Sequence, residues 1–279
     1  RIKKVPTLKG FTVVNMFNEP STRTRSSFEI AEKRLSADSL NFVGSSTATV
    51  KGESLVDTVK TLCSYKIDCI VVRDRWAGVP RKIADVSGVS VIDAGDGKHQ
   101  HPTQALLDLY SIWEEKGSFD NLHVGVVGDI SHSRVCGSLI PALKIMGCEV
   151  TVIAPPTLLP ARPDILGADH VTSNLNEALP ELDVVYMLRI QRERFEGAPY
   201  PNLREYNLLY GLTEERDRLL KPDACVCHPG PINRGVELDS FMADHPKRSI
   251  ILDQVYAGVL VRMAALYLLL GGSNDGIDA

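Results

Sequence analysis

The sequence predicts an α/β protein made of two doubly wound domains, each a mostly parallel sheet flanked by helices. Two observations carry that reading. Apolar runs of strand length alternate with longer stretches of helical period. Residues 114–121, "EEKGSFDN", then form a polar, glycine-containing break, beyond which the alternation restarts. With 279 residues, 44% of them hydrophobic, the chain is long enough for two cores. The boundary is drawn at that break: a first domain over 1–116, a second over 117–252, and a last helix, 253–279, expected to return to the first. That helix is apolar around much of its circumference and needs protein to cover it.

In chain order the expected strands of the first domain are "TVVNMF" (12–17), "LNFV" (40–43), "CIVV" (69–72) and "VSVIDA" (89–94). After the break come "HVGVVG" (123–128), "EVTVIA" (149–154), "DVVYML" (183–188) and "ACVCH" (224–228). Between the first two strands, Phe28, Ala31 and Leu35 are spaced by three and four, which sets them on one helical face. A helix over 102–115 opens on Pro102 and repeats Leu106, Leu109, Tyr110 and Trp113 as its apolar stripe.

The bulk numbers exclude several classes. Lys and Arg total 31 against 35 Asp and Glu, a formal net charge of −4 without a lysine-rich run, which argues against a nucleic-acid partner. Cys63, Cys69, Cys136, Cys148, Cys225 and Cys227 lack C-x-x-C spacing and sit mostly in apolar runs, as reduced core residues of a cytoplasmic protein do. No signal-peptide pattern opens the chain. The longest apolar run, 255–272, is interrupted by Arg262 and is expected to be too short and too charged to span a bilayer. The chain opens on Arg1 rather than methionine, which points to a processed or truncated product.

The unusual residues collect just past the carboxyl ends of the expected strands. "STRTR" follows the first, "SSTATVKGE" the second, Arg73 the third and "GDGKHQHPTQ" the fourth. "GDISHSR", then Arg189 and Gln191, then "HPGPINRG" do the same beyond the break. That edge is where open α/β sheets bind ligands. So much Arg, Lys, His, Ser and Thr on an acidic chain suggests a local cationic site for small anions. In the first loop a turn at 18–20, hydroxyls at Ser21, Thr22 and Thr24, and a helix start would aim backbone N–H groups at one point, where a phosphate fits beside Arg23. The plain alternative is a Ser or Thr helix cap with arginines in surface ion pairs. A G-x-x-G after the strand at 123 is a faint dinucleotide fingerprint, so a nicotinamide enzyme is a weak runner-up. His99 and His101 look like a metal pair but lack an evident third ligand. His101 and Gln104 instead put an imidazole and an amide at a helix start, where both could touch a polarised carbonyl.

Taken together, "FNEPSTRTRSSFE", "VKGESLVDT", "HPTQALLDLY", "YMLRIQRERF" and "HPGPINRGVE" resemble the catalytic chains of the aspartate carbamoyltransferase family, from Arg1 to about Gly272. "STRTR" and "HPTQ" are shared with ornithine carbamoyltransferases. The loop "HPGP", the absence of a D-x-x-x-S-M-G segment and the R-x-Q at 189–191 resemble the aspartate branch. An arginine there also suits a dicarboxylate better than a cationic amino acid. Departures from the family's usual residues stand at Thr47, Asp74 and Ala257, and its N-terminal helix would precede residue 1.

The resemblance implies carbamoyl transfer to L-aspartate, without a cofactor or metal. Ser21, Thr22, Arg23 and Thr24 would hold the phosphate of carbamoyl phosphate, and Arg73 would bridge phosphate and carbonyl oxygen. Thr24 and His101 would also contact that oxygen. Gln104 and the backbone of Pro229 and Gly230 would hold the carbamoyl amine, while Lys51, Arg134, Arg189 and Gln191 would engage aspartate. Thr47 and Lys51 would enter from the adjacent subunit, making a homotrimer with shared sites. Regulatory or dihydroorotase chains are partners that the sequence leaves open. Carbamoyl transfer to another amino acid such as ornithine, and a non-catalytic ligand-binding relative, are the alternatives.

Overall fold

A computed structural model describes residues 4–42, 53–190 and 202–271. The chain divides into two compact units, 1–103 with 256–279, and 104–255.

In the first unit the parallel strands β1 (Thr12–Phe17), β2 (Asp38–Phe42), β3 (Cys69–Asp74) and β4 (Ser90–Asp96) form a sheet in the order β2-β1-β3-β4. Helices α1 (Thr22–Leu35), α2 (Leu55–Ser64) and α3 (Val79–Ser87) connect them. β1 and β3 are buried on both faces, which is why they read as continuous apolar runs. Alternate residues feed two cores: Val13, Phe17, Cys69 and Val71 join Phe28, Ala31 and Leu35 of α1, while Val14, Met16, Ile70 and Val72 join Val59, Leu62 and Ile83. The expected α1 face is thus the buried one. Ser54 starts α2 by accepting a hydrogen bond from the Asp57 N–H (3.2 Å), a side-chain cap on an otherwise orphaned donor.

The second unit takes in helix α4 (Pro102–Lys116) from Gln104 onward and holds a parallel sheet in the order β7-β6-β5-β8-β9. Its strands are β5 (His123–Val127), β6 (Glu149–Ile153), β7 (His170–Thr172), β8 (Val184–Met187) and β9 (Cys225–Cys227). Helices α5 (Cys136–Ile145), α6 (Leu175–Ala178), α7 (Leu203–Tyr210), α8 (Glu214–Asp217) and α9 (Ser240–Ala243) lie between or after them. The strands again alternate: Val124, Val126, Val150, Val152, Val184 and Tyr186 face one core, and Val127, Ile153, Val185 and Met187 the other.

Three expectations change. The division of the chain falls between Thr103 and Gln104, not after residue 116, because Ala105 and Ile112 of α4 pack into the second unit's core. The buried face of α4 is not the stripe of Leu106, Leu109, Tyr110 and Trp113: Leu106 and Trp113 are exposed, and Ala105, Asp108 and Ile112 point inward. Two polar side chains on that face disguise it, Asp108 and Ser111, whose hydroxyl donates to the Leu107 carbonyl (2.8 Å). The last helix, α10 (Ile251–Leu266), continues as a π-helical turn to Gly271. Its 21 residues, with mean hydropathy 1.5, are long and apolar enough to cross a membrane by length and composition, contrary to the sequence expectation.

That helix nonetheless has a packed role. Leu266 sits in the first unit's core, and buried Arg262 donates to Ser27 Oγ (2.7 Å) and the Gly258 carbonyl (3.2 Å) while lying 5.1 Å over the Phe28 ring. Its protein cover is partial, since Leu252, Tyr256 and Leu268 are exposed.

Candidate active site

Strand order decides where each sheet can bind. In the first, β1 leads outward to β2 and β3 outward to β4, so the chain reverses direction between neighbours β1 and β3. In the second the reversal lies between β5 and β8. A crevice opens beyond the carboxyl ends of strands at such a point, because the flanking connections leave on opposite faces. The loops there carry Ser21 to Thr24 and Arg73 in one unit, and Arg134 and Arg189 in the other.

The first-unit crevice starts from the Phe17–Arg73 pairing of β1 and β3 and the bond from the Asn18 N–H to the Arg73 carbonyl (2.9 Å). Asp74 Oδ2 accepts from Asn18 Nδ2 (2.8 Å) and its Oδ1 from the Trp76 N–H (2.8 Å), tying the loops after β1 and β3 together. Ser21 is the N-cap residue of α1, yet its hydroxyl makes no capping bond, and the first helical turn holds no acidic residue. The N-terminal N–H groups of α1 thus have a positive dipole end without an internal counter-charge, which favours an anion. A cavity of about 460 Å³ runs beside this turn, lined by Phe17 to Thr22, Arg25, Ser26 and Glu29.

Arg23 and Thr22 are exposed, whereas Thr24 is buried with its Oγ1 3.5 Å from Nε2 of His101, itself 4% exposed. Arg73 Nε donates to Glu19 Oε1 (2.6 Å) and its NH1 to the Ala94 carbonyl (3.4 Å), which aims the guanidinium from two sides. Arg25 pairs with Glu29 one turn on (2.9 Å) and is a surface ion pair. His99 is 62% exposed and meets Asp96 Oδ2 through Nδ1 (2.8 Å); among the described residues no three His, Cys, Asp or Glu groups could hold a metal.

In the second unit Gly128 follows β5 at φ +124°, and a Cβ there would press on the Leu188 carbonyl and the Tyr206 hydroxyl (3.1 Å each). Gly125 is required by packing: its Cβ would come within 2.3 Å of Leu182 Cδ1. Both glycines of the faint dinucleotide fingerprint therefore have a reason within the fold. Asp129 Oδ1 accepts from the His132 backbone N–H (3.2 Å) and contacts its Nδ1 (2.7 Å), shaping the turn that presents Arg134, which is 4% exposed. Arg189 is half-buried just past β8. After β9, His228 Nδ1 accepts from the Gly230 N–H (2.7 Å) and Nε2 contacts Glu237 Oε1 (3.3 Å). Glu237 also accepts from the Asn233 N–H (2.6 Å), and Asn233 Nδ2 donates to the Ile190 carbonyl (3.2 Å), linking the loop after β9 to the residue beside Arg189.

Ser21 to Thr24, Arg73 and His101 thus belong to the first unit, and Gln104, Arg134, Arg189, Pro229 and Gly230 to the second. Thr47, Lys51 and Gln191 lie outside the described residues. Sequence reasoning missed Glu19 as the partner of Arg73, and Asp108, His228, Glu237 and Gln254 as supports. For Asp108 and Gln254 the sequence signal was a polar residue inside an apolar stretch; Glu19, His228 and Glu237 stand in polar loops and carry no such signal.

The cysteine thiols are free, and all but Cys63 are buried. Burial pushes Cys69 and Cys136 up to about 12, so these thiols stay protonated and are inert.

Both units match one group of transferases. The sequence model described as "Aspartate/ornithine carbamoyltransferase, carbamoyl-P binding domain" matches residues 1–114, and that for the "Asp/Orn binding domain" matches 120–269. The chain belongs to the aspartate/ornithine carbamoyltransferase family. Among curated relatives it resembles aspartate carbamoyltransferase catalytic subunits. The protein from Syntrophotalea carbinolica is 54% identical over 273 residues, 98% of this chain and 87% of that protein. The one from Desulforapulum autotrophicum is 50% identical over 274 residues, again 98% and 87%. The solved structure of aspartate transcarbamoylase from Trypanosoma cruzi in complex with carbamoyl phosphate is similar at a TM-score of 0.88 and 32% identity, covering 96% of this chain and 86% of that one. The same enzyme with carbamoyl phosphate and aspartate gives 0.87, 32%, 96% and 87%.

Proposed function

We propose that the chain transfers the carbamoyl group of carbamoyl phosphate to the amine of L-aspartate, giving N-carbamoyl-L-aspartate and phosphate for de novo pyrimidine biosynthesis. The observation that carries the residue assignments is the pair of sheet crevices, each lined by arginines just past the strand ends. The first unit supplies the carbamoyl-phosphate half: Ser21, Thr22, Arg23 and Thr24 with the N-terminus of α1 hold the phosphate, and Arg73 spans phosphate and carbonyl oxygen. Thr24 and His101 donate to that oxygen. Gln104 and the backbone of Pro229 and Gly230 take the carbamoyl amine. Arg134, Arg189 and Gln191 bind the two carboxylates of aspartate, with Lys51.

The neutral amine of aspartate attacks the carbamoyl carbon, and negative charge builds on the carbonyl oxygen. The tetrahedral intermediate then collapses with loss of phosphate, and the proton leaves the new nitrogen. Donors aimed at that oxygen act when its charge is largest, so each lowers the barrier more than it strengthens ground-state binding. Arg23 carries out the corresponding task for the departing phosphate. Holding amine and carbonyl in register supplies much of the remaining acceleration.

The buried thiols and acidic balance suit a cytoplasmic enzyme. Thr47 and Lys51 complete the site from an adjacent subunit of a homotrimer. Mixing Lys51→Ala chains with His101→Ala chains is expected to restore activity after subunit exchange; no restoration would remove the shared site. The function itself is tested by product formation. The protein is expected to make carbamoyl aspartate from carbamoyl phosphate and aspartate and to leave ornithine untouched, and the reverse preference would overturn the substrate assignment.

A further inference from the structure

Helix α4 turns a carboxylate into the interior of the second unit. Asp108 is 0% exposed, and three donors converge on it. Its Oδ1 accepts from Gln104 Nε2 (2.9 Å) and from Gln254 Nε2 (2.7 Å), and its Oδ2 from the Tyr186 hydroxyl (2.7 Å). Burial, with the adjoining carboxylate, raises the Tyr186 phenol well above its ordinary range, so that hydroxyl keeps its proton and remains a donor. A buried carboxylate is costly unless donors satisfy it, and an apolar side chain of the same size would fill the space more simply. A reason beyond packing is therefore called for.

That reason lies in the two-ended chemistry of an amide. A glutamine can present either its amino end, a donor, or its carbonyl end, an acceptor, and its neighbours decide which. Gln254 is fixed from the far side: its Oε1 accepts from the His228 backbone N–H (2.9 Å), so its amino end must face Asp108. Gln104 has its amino end committed to Asp108, and its Oε1 makes no hydrogen bond among the described residues. The carbonyl is the end it offers outward. The NH2 of a carbamoyl group is a donor and can be held only by that end.

We propose that Asp108 is a positioning residue that fixes the polarity of the Gln104 amide, so that the site selects a carbamoyl donor over an acyl donor with a methyl in place of the amine. This rests on the reading of Gln104 as a holder of the carbamoyl amine. The same carboxylate reaches the second proposed holder of that amine. Through Gln254 it anchors the His228 N–H, and the His228 ring in turn accepts from the Gly230 N–H (2.7 Å), fixing the Pro229–Gly230 backbone. Both groups assigned to one NH2 therefore depend on one buried acceptor.

Calorimetric binding of carbamoyl phosphate and of acetyl phosphate, which carries a methyl where the former carries its amine, tests this on the full chain. Asp108→Ala is expected to weaken carbamoyl phosphate about tenfold, the worth of one hydrogen bond, and to leave acetyl phosphate within about twofold. Asp108→Asn keeps one oxygen for both glutamines and can donate its amino group to the Tyr186 oxygen, so it is expected to retain the preference. If Asp108→Ala weakens both ligands equally, the residue only supports the fold; if the preference is unchanged, it does not orient the amide. Either result overturns the proposal. Should Asp108→Ala fail to fold, Asp108→Ser is measured in its place with the same expected and overturning results. Gln104→Ala separates the two readings: if the parent's preference survives that substitution, Gln104 does not hold the amine, whatever Asp108 does.

Discussion

The two parallel sheets, of four and five strands, each have one switch point and differ in how they treat the arginines beside it. In the first unit Arg23 is exposed on the opening turn of α1, and Arg73 is steered by one carboxylate, Glu19. In the second, Arg134 is buried behind an Asp129–His132 turn, and a string of buried hydrogen bonds runs from α4 to the loop after β9. The first arrangement suits an anion that arrives and leaves, held by a helix terminus and hydroxyls at the surface. The second suits recognition of a fixed shape, because buried polar groups tolerate few geometries.

The largest effect expected from that contrast is at Arg23. Arg23→Ala should lower kcat by about 10²–10³-fold, as loss of a charge aimed at a departing anion does, with aspartate KM changing far less. Steady-state kinetics with both substrates varied reads this; a dominant rise in aspartate KM would erase the division of labour. Arg189→Ala should show the opposite split, raising aspartate KM by about 10–100-fold, the worth of a charge-assisted hydrogen bond.

Gly125→Ala tests the second sheet's packing, since the added methyl meets Leu182 within β5's close contact. It should cost about 1–3 kcal/mol, read by denaturant unfolding. Arg25→Ala is the smallest: its pair with Glu29 is partly exposed, so activity should stay near the parent's and stability should change by less than about 1 kcal/mol.

Much of this was legible in the sequence. β1 was read with its observed limits, and the central strands of both sheets stand out because burial on both faces makes them uninterrupted apolar runs. β7 was not foreseen: it has three residues, "HVT", at the edge of its sheet, too few for a period to register. The inward face of α4 was misread because Asp108 and Ser111 look like solvent-facing residues until their partners are known. Two of Asp108's partners are remote, Tyr186 at 78 positions and Gln254 at 146. Local pattern reports which residues sit at strand ends; it does not report which distant side chains hold them still.

The discontinuity of the first unit has a consequence during synthesis. Everything that builds the second unit has been translated by residue 255, whereas Arg262 and Leu266, which pack on Ser27 and the first unit's core, come later. The unit that starts first is completed last. On the ribosome the second unit can close while the first still lacks residues 256–271 and leaves the surface around Phe28 and Leu8 open, so the later of the first unit's two segments governs when the earlier one becomes safe from aggregation.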